Sequence, residues 1–192
     1  MVTEEFLELV DHFPYRAWSY ILKNILAVIL ISISVSGCAT VNPSIPNDYY
    51  GPRAIIIDSE NRIDKGKADL FYLSHINGLK IKDSRSESLR ASYQQGNNLT
   101  TVILETEVPS RKQIFTIVGR TEYAMPARAF VGAVYEVKGD ISFTPAPIGK
   151  YVIKGTLGKY TSTVWIESVL QPDEIIGRIK AEGSSKLGFF KK

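Results

Sequence analysis

Residues 135–144 read Tyr-Glu-Val-Lys-Gly-Asp-Ile-Ser-Phe-Thr, the clearest structural pattern in the 192-residue chain. Apolar side chains and Gly139 occupy the odd positions, whereas charged or hydroxyl side chains occupy the even ones. Because successive side chains of a strand point to opposite faces of a sheet, this alternation predicts a half-buried strand. We assign it to residues 131–144. Gly139 in its middle predicts a bend or bulge, at a point where the strand passes between sheets.

Seven further segments have the composition of strands and are separated by turn residues. They are residues 54–58, 68–76, 100–107, 113–121, 150–156, 163–169 and 175–180. One helix is predicted after Asp83, with a capping pattern at Ser84 and Glu87 and with Gly96 as its end.

Eight strands and one short helix do not alternate as they do in folds with a parallel sheet. The link at residues 144–149 is too short for a parallel crossover and suits a hairpin. The sequence therefore predicts an all-β fold, an antiparallel β-sandwich of about eight strands with one short helix. An open β-barrel is the alternative.

The composition excludes several kinds of site. The chain has one Cys, two His and two Met, which excludes a disulfide framework, a Cys-rich zinc site and a His-rich metal cage. Lys and Arg number 23 against 20 Asp and Glu, and the net charge of +3 is not clustered as in nucleic-acid binders. We expect no cofactor, no metal and no nucleic-acid partner.

An apolar run at residues 25–37 follows Lys23 and ends in small residues. This order is that of an export signal. A helix that spans a bilayer needs about 20 apolar residues, and Lys23 interrupts a longer run. The sequence therefore predicts a signal-peptide helix within residues 1–37.

Val35, Ser36, Gly37 and Cys38 resemble the lipobox of bacterial lipoproteins. The resemblance implies that signal peptidase recognises the three small residues and that the Cys38 thiol is acylated, with palmitate among the acyl chains. Cys38 then becomes the N-terminus. Ala39 in place of Asp implies sorting to the outer membrane in a Gram-negative cell. The alternative for Cys38 is a small buried side chain in a helix packed on a core.

Three units are predicted on this basis. Residues 1–37 form the lipoprotein signal peptide, residues 38–53 a flexible tether that is rich in proline and polar side chains, and residues 54–192 the β-sandwich domain.

Three segments within residues 48–192 resemble Gram-negative outer-membrane lipoproteins of unknown function. They are Gly-Pro-Arg-Ala at 51–54, Lys-Ala-Asp-Leu-Phe-Tyr-Leu at 67–73 and Gly-Arg-Thr-Glu-Tyr-Ala at 119–124. The resemblance implies no activity and no catalytic residues.

Catalytic motifs are sparse. The sequence has no Gly-x-Ser-x-Gly elbow, no phosphate-binding Gly-rich loop and no His-Glu-x-x-His. Ser74 and His75 could form a nucleophile and base, but neighbours on a regular strand point to opposite faces, which argues against a dyad. Two carboxylate pairs could serve a glycosidase or a calcium site, although solvated strand faces also explain them. These pairs are Asp58 with Glu60 and Glu105 with Glu107.

Aromatic residues within the predicted strands are expected in the core. Others lie outside strands and could form a surface patch for a ligand or partner: Tyr49, Tyr50, Tyr93, Tyr160, Phe189 and Phe190. The C-terminal residues 186–192 combine two of them with three lysines, so the tail either anchors a Phe in the core or contacts a partner.

These observations predict a membrane-anchored, non-enzymatic lipoprotein of the cell envelope that binds or scaffolds an envelope protein or glycan. It would face the periplasm from the outer membrane. Two alternatives remain: a periplasmic enzyme that acts on glycan through two carboxylates, and a structural component of an envelope or secretion complex.

Overall fold

Ten strands and two short α-helices occupy the part of the chain that the computed structural model describes, residues 41–172 and 174–191. The strands are β1 (Arg53–Ile57), β2 (Ser59–Asp64), β3 (Lys67–Ile76), β4 (Leu79–Lys80), β5 (Glu105–Pro109), β6 (Gln113–Tyr123), β7 (Glu136–Phe143), β8 (Lys150–Thr156), β9 (Thr161–Ser168) and β10 (Ile175–Glu182). The helices are α1 (Ser84–Ala91) and α2 (Pro126–Val131), and a 3₁₀ turn spans Phe189–Lys191.

The strands form two five-stranded sheets. The first has the order β10-β9-β8-β1-β5, and the second has the order β2-β3-β6-β7 with β4 paired to β3. The prediction of an all-β sandwich is confirmed, and the described residues form no closed barrel. Pairing is antiparallel except between β1 and β8, which run parallel. The sequence prediction missed β2, β4 and α2.

Strand β7 carries the alternation that was read from the sequence. Val137 and Ile141 are buried, whereas Lys138 and Ser142 are exposed. The predicted bulge at Gly139 is wrong, because β6 and β7 pair in unbroken register along the whole of β7. The glycine instead permits a close approach between the sheets, since a Cβ there would lie 2.8 Å from Ile179 of β10.

Strands β1 and β2 are consecutive in the chain but belong to different sheets, and Asp58 is the residue between them. Just after this switch, Ser59 Oγ donates a 2.5 Å hydrogen bond to the carbonyl of Ile153 in β8. The polar segment 59–64 is exposed along most of its length, so no apolar alternation marks it as a strand.

Helix α1 begins after Asp83, whose carboxylate accepts a 2.8 Å hydrogen bond from the backbone N–H of Ser86. A row of three serines on its buried side faces the extended segment 99–104. Their hydroxyls accept backbone N–H groups of that segment: Leu104 to Ser84, Val102 to Ser88 and Thr100 to Ser92, at 2.8–2.9 Å. The strand predicted at 100–107 therefore begins only at Glu105.

Two groups of buried apolar residues fill the domain. The larger lies between the sheets and includes Ile56, Phe115 and Ile153. A smaller group, which includes Leu70, Leu99 and Val118, lies on the other side of β3 and β6. Both faces of these two strands are thus buried, which explains the nearly continuous burial along them.

The predicted tether reaches the sandwich early. Asn42 donates its backbone N–H to the carbonyl of Lys80 at 2.8 Å and pairs with Ile81. The hydroxyl of Tyr49 donates a 2.7 Å hydrogen bond to the carbonyl of Pro52. The centroid of the Tyr49 ring lies 5.2 Å from Cζ of the Arg111 guanidinium, between β5 and β6. Segment 42–52 is therefore attached to the domain at both of these points.

Candidate binding cleft

A cleft of about 530 Å³ opens where α1, the end of β6 and α2 meet. Its apolar lining comes from these three regions and from the segment after α2: Leu89, Tyr93, Tyr123, Met125, Ala129, Phe130 and Val134. Three charged side chains complete it: Arg85, Arg120 and Glu122. Concave, mostly apolar sites with a few convergent polar groups are the usual form of a ligand site.

The charged part of the cleft is a chain of ion pairs. Glu122, which is buried, contacts Arg85 and lies 2.8 Å from Nε of Arg120. Arg120 also pairs with Glu136 on the neighbouring strand β7. Burial acts to lower the pKa of Arg85, but the charge and hydrogen bond of Glu122 outweigh it and raise that pKa. All four side chains of this network are therefore held by one another.

The rim of the cleft is aromatic. The Tyr93 side chain is 76% exposed, and Phe130 is also exposed. Phe189, from the C-terminal turn, lies with its ring centroid 5.3 Å from that of Phe130. The tail is fixed nearby, because the backbone N–H of Leu187 donates to the carbonyl of Val134 at 2.8 Å. Phe189 is thus anchored on an exposed ring beside the cleft and not in the core.

Helix α2 forms one wall, although the sequence prediction assigned its last residue to a strand. Pro126 at its first position is favourable there because the missing N–H would have no partner in the helix. The helix ends at Val131, and a Cβ on the following residue, Gly132, would lie 2.4 Å from the hydroxyl of Tyr123. That hydroxyl donates to the carbonyl of Ala133 at 3.1 Å, which fixes the turn into β7.

Ser74 and His75 are brought together, contrary to the argument from regular strand geometry. The register of β3 against β6 shifts between Leu73 and His75, and Ser74 Oγ lies 2.9 Å from His75 Nδ1. The serine hydroxyl also donates to the carbonyl of Thr116 at 3.0 Å. Its proton is therefore directed at that carbonyl, so the imidazole is not placed to remove it.

Neither of the two carboxylate pairs is arranged as a glycosidase or calcium site. Asp58 is buried and accepts hydrogen bonds from Leu73 N–H at 2.9 Å and Ser84 Oγ at 2.5 Å, whereas Glu60 is exposed. Burial raises the pKa of Asp58 to about 7. Glu105 and Glu107 are exposed, and Glu107 pairs with Arg53 at 2.8 Å.

The aromatic side chains divide largely as expected. Those buried in the sandwich are Phe71, Tyr72, Phe115, Tyr123 and Tyr151. Trp165 is partly buried on β9 and donates its indole N–H to Glu167 at 2.7 Å. Of the six outside predicted strands, Tyr93 and Phe189 lie at the cleft, whereas Tyr49 and Tyr50 lie near the start of β1.

Cys38 and the lipobox residues Val35, Ser36 and Gly37 lie outside the described residues, as does the predicted signal helix. In residues 41–172 and 174–191, no helix has the length and apolar character needed to cross a membrane. No group of three His, Cys, Asp or Glu that could hold a metal ion occurs in the same residues. No known family model, curated protein or solved structure matches this chain.

Proposed function

We propose that this protein is a lipid-anchored, non-enzymatic binding module of the bacterial cell envelope, and that its cleft holds an apolar segment of a partner protein. The cleft is the observation that supports this proposal most directly. It combines the exposed rings of Tyr93 and Phe130 with a recessed ion-pair network, and burying such rings against an apolar partner is favourable.

The charges in the cleft favour a binding role over glycan hydrolysis. Hydrolysis of a glycosidic bond ordinarily uses two carboxyl groups that flank the bond. Glu122 is the one carboxylate among the lining residues, and Arg85 and Arg120 both contact it. Glu136 contacts the same Arg120 but does not line the cleft. We therefore assign both carboxylates a structural role, in which they hold the arginine side chains of the cleft in position.

Anchoring is proposed through Cys38, on the strength of the lipobox and the chain's single thiol. One acyl chain gives marginal membrane binding, whereas two or more give a stable anchor. Replacing Cys38 with Ser is expected to abolish incorporation of labelled palmitate and to leave the precursor uncleaved. Undiminished labelling of the variant would refute the anchor.

Photocrosslinking in cells tests the cleft. A photoreactive phenylalanine analogue replaces Tyr93 at the rim or, as a matched control, Tyr160, which is 75% exposed and does not line the cleft. We expect a protein crosslink at position 93 and none at position 160, and mass spectrometry should map it to an apolar segment of the partner.

A second variant shows whether the cleft itself is the site. Ala129→Trp places a large ring among the lining residues and is expected to abolish the crosslink at position 93. The far-ultraviolet circular dichroism spectrum of this variant is expected to remain that of a β-rich protein. The cleft assignment is wrong if the crosslink persists in this variant, if both positions crosslink equally, or if neither does.

A further inference from the structure

Four connections between strands meet at one end of the sandwich, which we name the loop end. They are residues 77–78, 110–112 and 144–149, together with the described residues of the connection between β9 and β10, 169–172 and 174. Hydrogen bonds join them to each other or to adjacent strands: Asn77 N–H to the carbonyl of Ile114 at 2.8 Å, Ser110 Oγ to that of Ala146 at 3.4 Å, and Val169 N–H to that of Lys150 at 2.9 Å. The cleft lies toward the opposite end of β6, at residues 120–123.

The loop end and the residues next to it expose large apolar side chains. Ile148 and Leu170 lie in the connections themselves, whereas Tyr50, Leu79 and Ile114 lie beside them, before β1 and at the starts of β4 and β6. Ile148 is the most unusual, because it is 88% exposed and its φ is +62°. That backbone conformation is unfavourable for a β-branched residue, and residues held in such conformations cluster at functional sites. The loop thus presents an isoleucine to solvent at a position that glycine would occupy without strain.

The same tips carry an excess of positive charge. In sequence, these segments and their neighbours hold four basic residues, Lys80, Arg111, Lys112 and Lys150, against three acidic ones, Asp48, Asp173 and Glu174. Lys80, Lys112 and Lys150 form no ion pair with any residue that the structure describes. Exposed apolar tips between unpaired lysines are complementary to a bilayer surface with anionic headgroups, where each lysine strengthens binding about fivefold.

The N-terminal segment joins the domain near this end. Asn42 bonds to Lys80, directly after Leu79 and two residues from the turn at 77–78. Three residues lie between Cys38 and Asn42, and the four residue steps from one to the other reach at most about 14 Å in an extended chain. If Cys38 is acylated, which is part of the proposed function, the lipid lies within that reach of the β4 hairpin.

We propose that the loop end is a membrane-contact surface that binds an anionic lipid bilayer through its apolar tips and lysines. The cleft at the opposite end then faces away from the lipid, toward a partner.

Hydroxyl-radical footprinting of the full chain tests this orientation, with and without vesicles that contain phosphatidylglycerol. Oxidation of Leu79 and Ile148 is expected to fall on vesicles, while Tyr93 and Tyr160 stay reactive. Equal oxidation at both ends, absence of protection, or protection of Tyr93 alone would overturn the proposal. If a chain that proves not to be acylated is still protected at the loop end, the lipid anchor is refuted and the membrane-contact surface is supported.

Charge variants test the lysines. Lys112→Glu is expected to raise the concentration of anionic lipid needed for half-maximal protection at least fivefold. Lys159→Glu, next to the exposed Tyr160 in the connection that follows β8, is the matched control and is expected to leave that concentration unchanged. Equal effects of the two variants would overturn the proposal.

Ile148→Gly separates a membrane role from a structural one. Glycine adopts the φ of +62° without strain, so the variant is expected to melt at the same or a higher temperature. It is expected at the same time to need about tenfold more lipid for half-maximal protection, because an exposed apolar side chain is lost. Unchanged lipid dependence, or protection that requires another protein in place of lipid, would contradict the proposal.

Discussion

Replacing Asp58 with Asn should flatten the pH dependence of stability. The Asp58 carboxyl lies between β1 and β2, is 2% exposed, and accepts hydrogen bonds from Leu73 and Ser84. These bonds favour its ionised form, but burial outweighs them and raises its pKa from 3.8 to about 7. The folded state therefore holds this proton at pH values where the unfolded chain has released it.

The sign and size of the effect follow from this difference. Between about pH 4 and pH 7 the folded state binds more protons than the unfolded state, so the free energy of unfolding falls as the pH rises. One pKa unit corresponds to about 1.4 kcal/mol, and the whole shift to about 4 kcal/mol. An amide at this position has no proton to lose in this range, so the loss of stability should be absent from the Asp58→Asn variant.

Urea denaturation at half-unit steps from pH 4.5 to 8.5 measures the effect. We expect the stability of the original protein to fall relative to that of Asp58→Asn by about 1 kcal/mol per pH unit up to pH 7 and to level off above it. Glu60→Gln, which changes an exposed carboxylate two residues away, is the control and should leave the profile unaltered. Parallel profiles for Asp58→Asn and the original protein would refute the reasoning.

Three further changes test the fold. Ile141→Asp places a charge on the buried face of β7 and should cost more than about 3 kcal/mol, whereas Ser142→Asp on the exposed face should cost less than about 0.5 kcal/mol; equal losses on urea denaturation would reject the register. Ser88→Ala removes the acceptor of Val102 N–H and should lower the free energy of unfolding by about 1–3 kcal/mol, and an unchanged value would show that this bond contributes nothing. Deleting residues 186–192 removes contacts beside the cleft and should lower the melting temperature by about 2–4 °C, while an unchanged temperature would show that the tail is not anchored.

The strands that the sequence predicted well are those with one buried face or a long apolar run. Strand β7 alternates strictly, and β8 coincides with the predicted range 150–156. Strand β2 lacked such a signal because its side chains are mostly exposed and polar. Gly139 was interpreted as a bulge, but it lies where the two sheets approach each other closely. The sequence of one strand cannot distinguish a glycine at a bulge from a glycine at a contact between sheets.

The cleft could not be predicted because its walls come from separate elements. Residues 89–93 of the α1 region and residues 125–130 around α2 meet only through the pairing of β3 with β6. Two signals were present in the sequence. Arg120 and Glu122 lie two apart and so share one face of β6. The spacing of Ser84, Ser88 and Ser92 at four-residue intervals marked one side of α1 as a hydrogen-bonding surface.

The parallel pairing of β1 with β8 also constrains how the chain folds. Ile55 aligns with Lys150, so a central strand of the first sheet gains one of its two neighbours only from the last quarter of the chain. Closing such a long loop costs entropy before the contact stabilises anything, which slows folding. Strands β3, β6 and β7 can pair earlier because their partners are nearer in sequence. We therefore expect the second sheet to form first during synthesis, and the first sheet to be completed only once β8, β9 and β10 have been made.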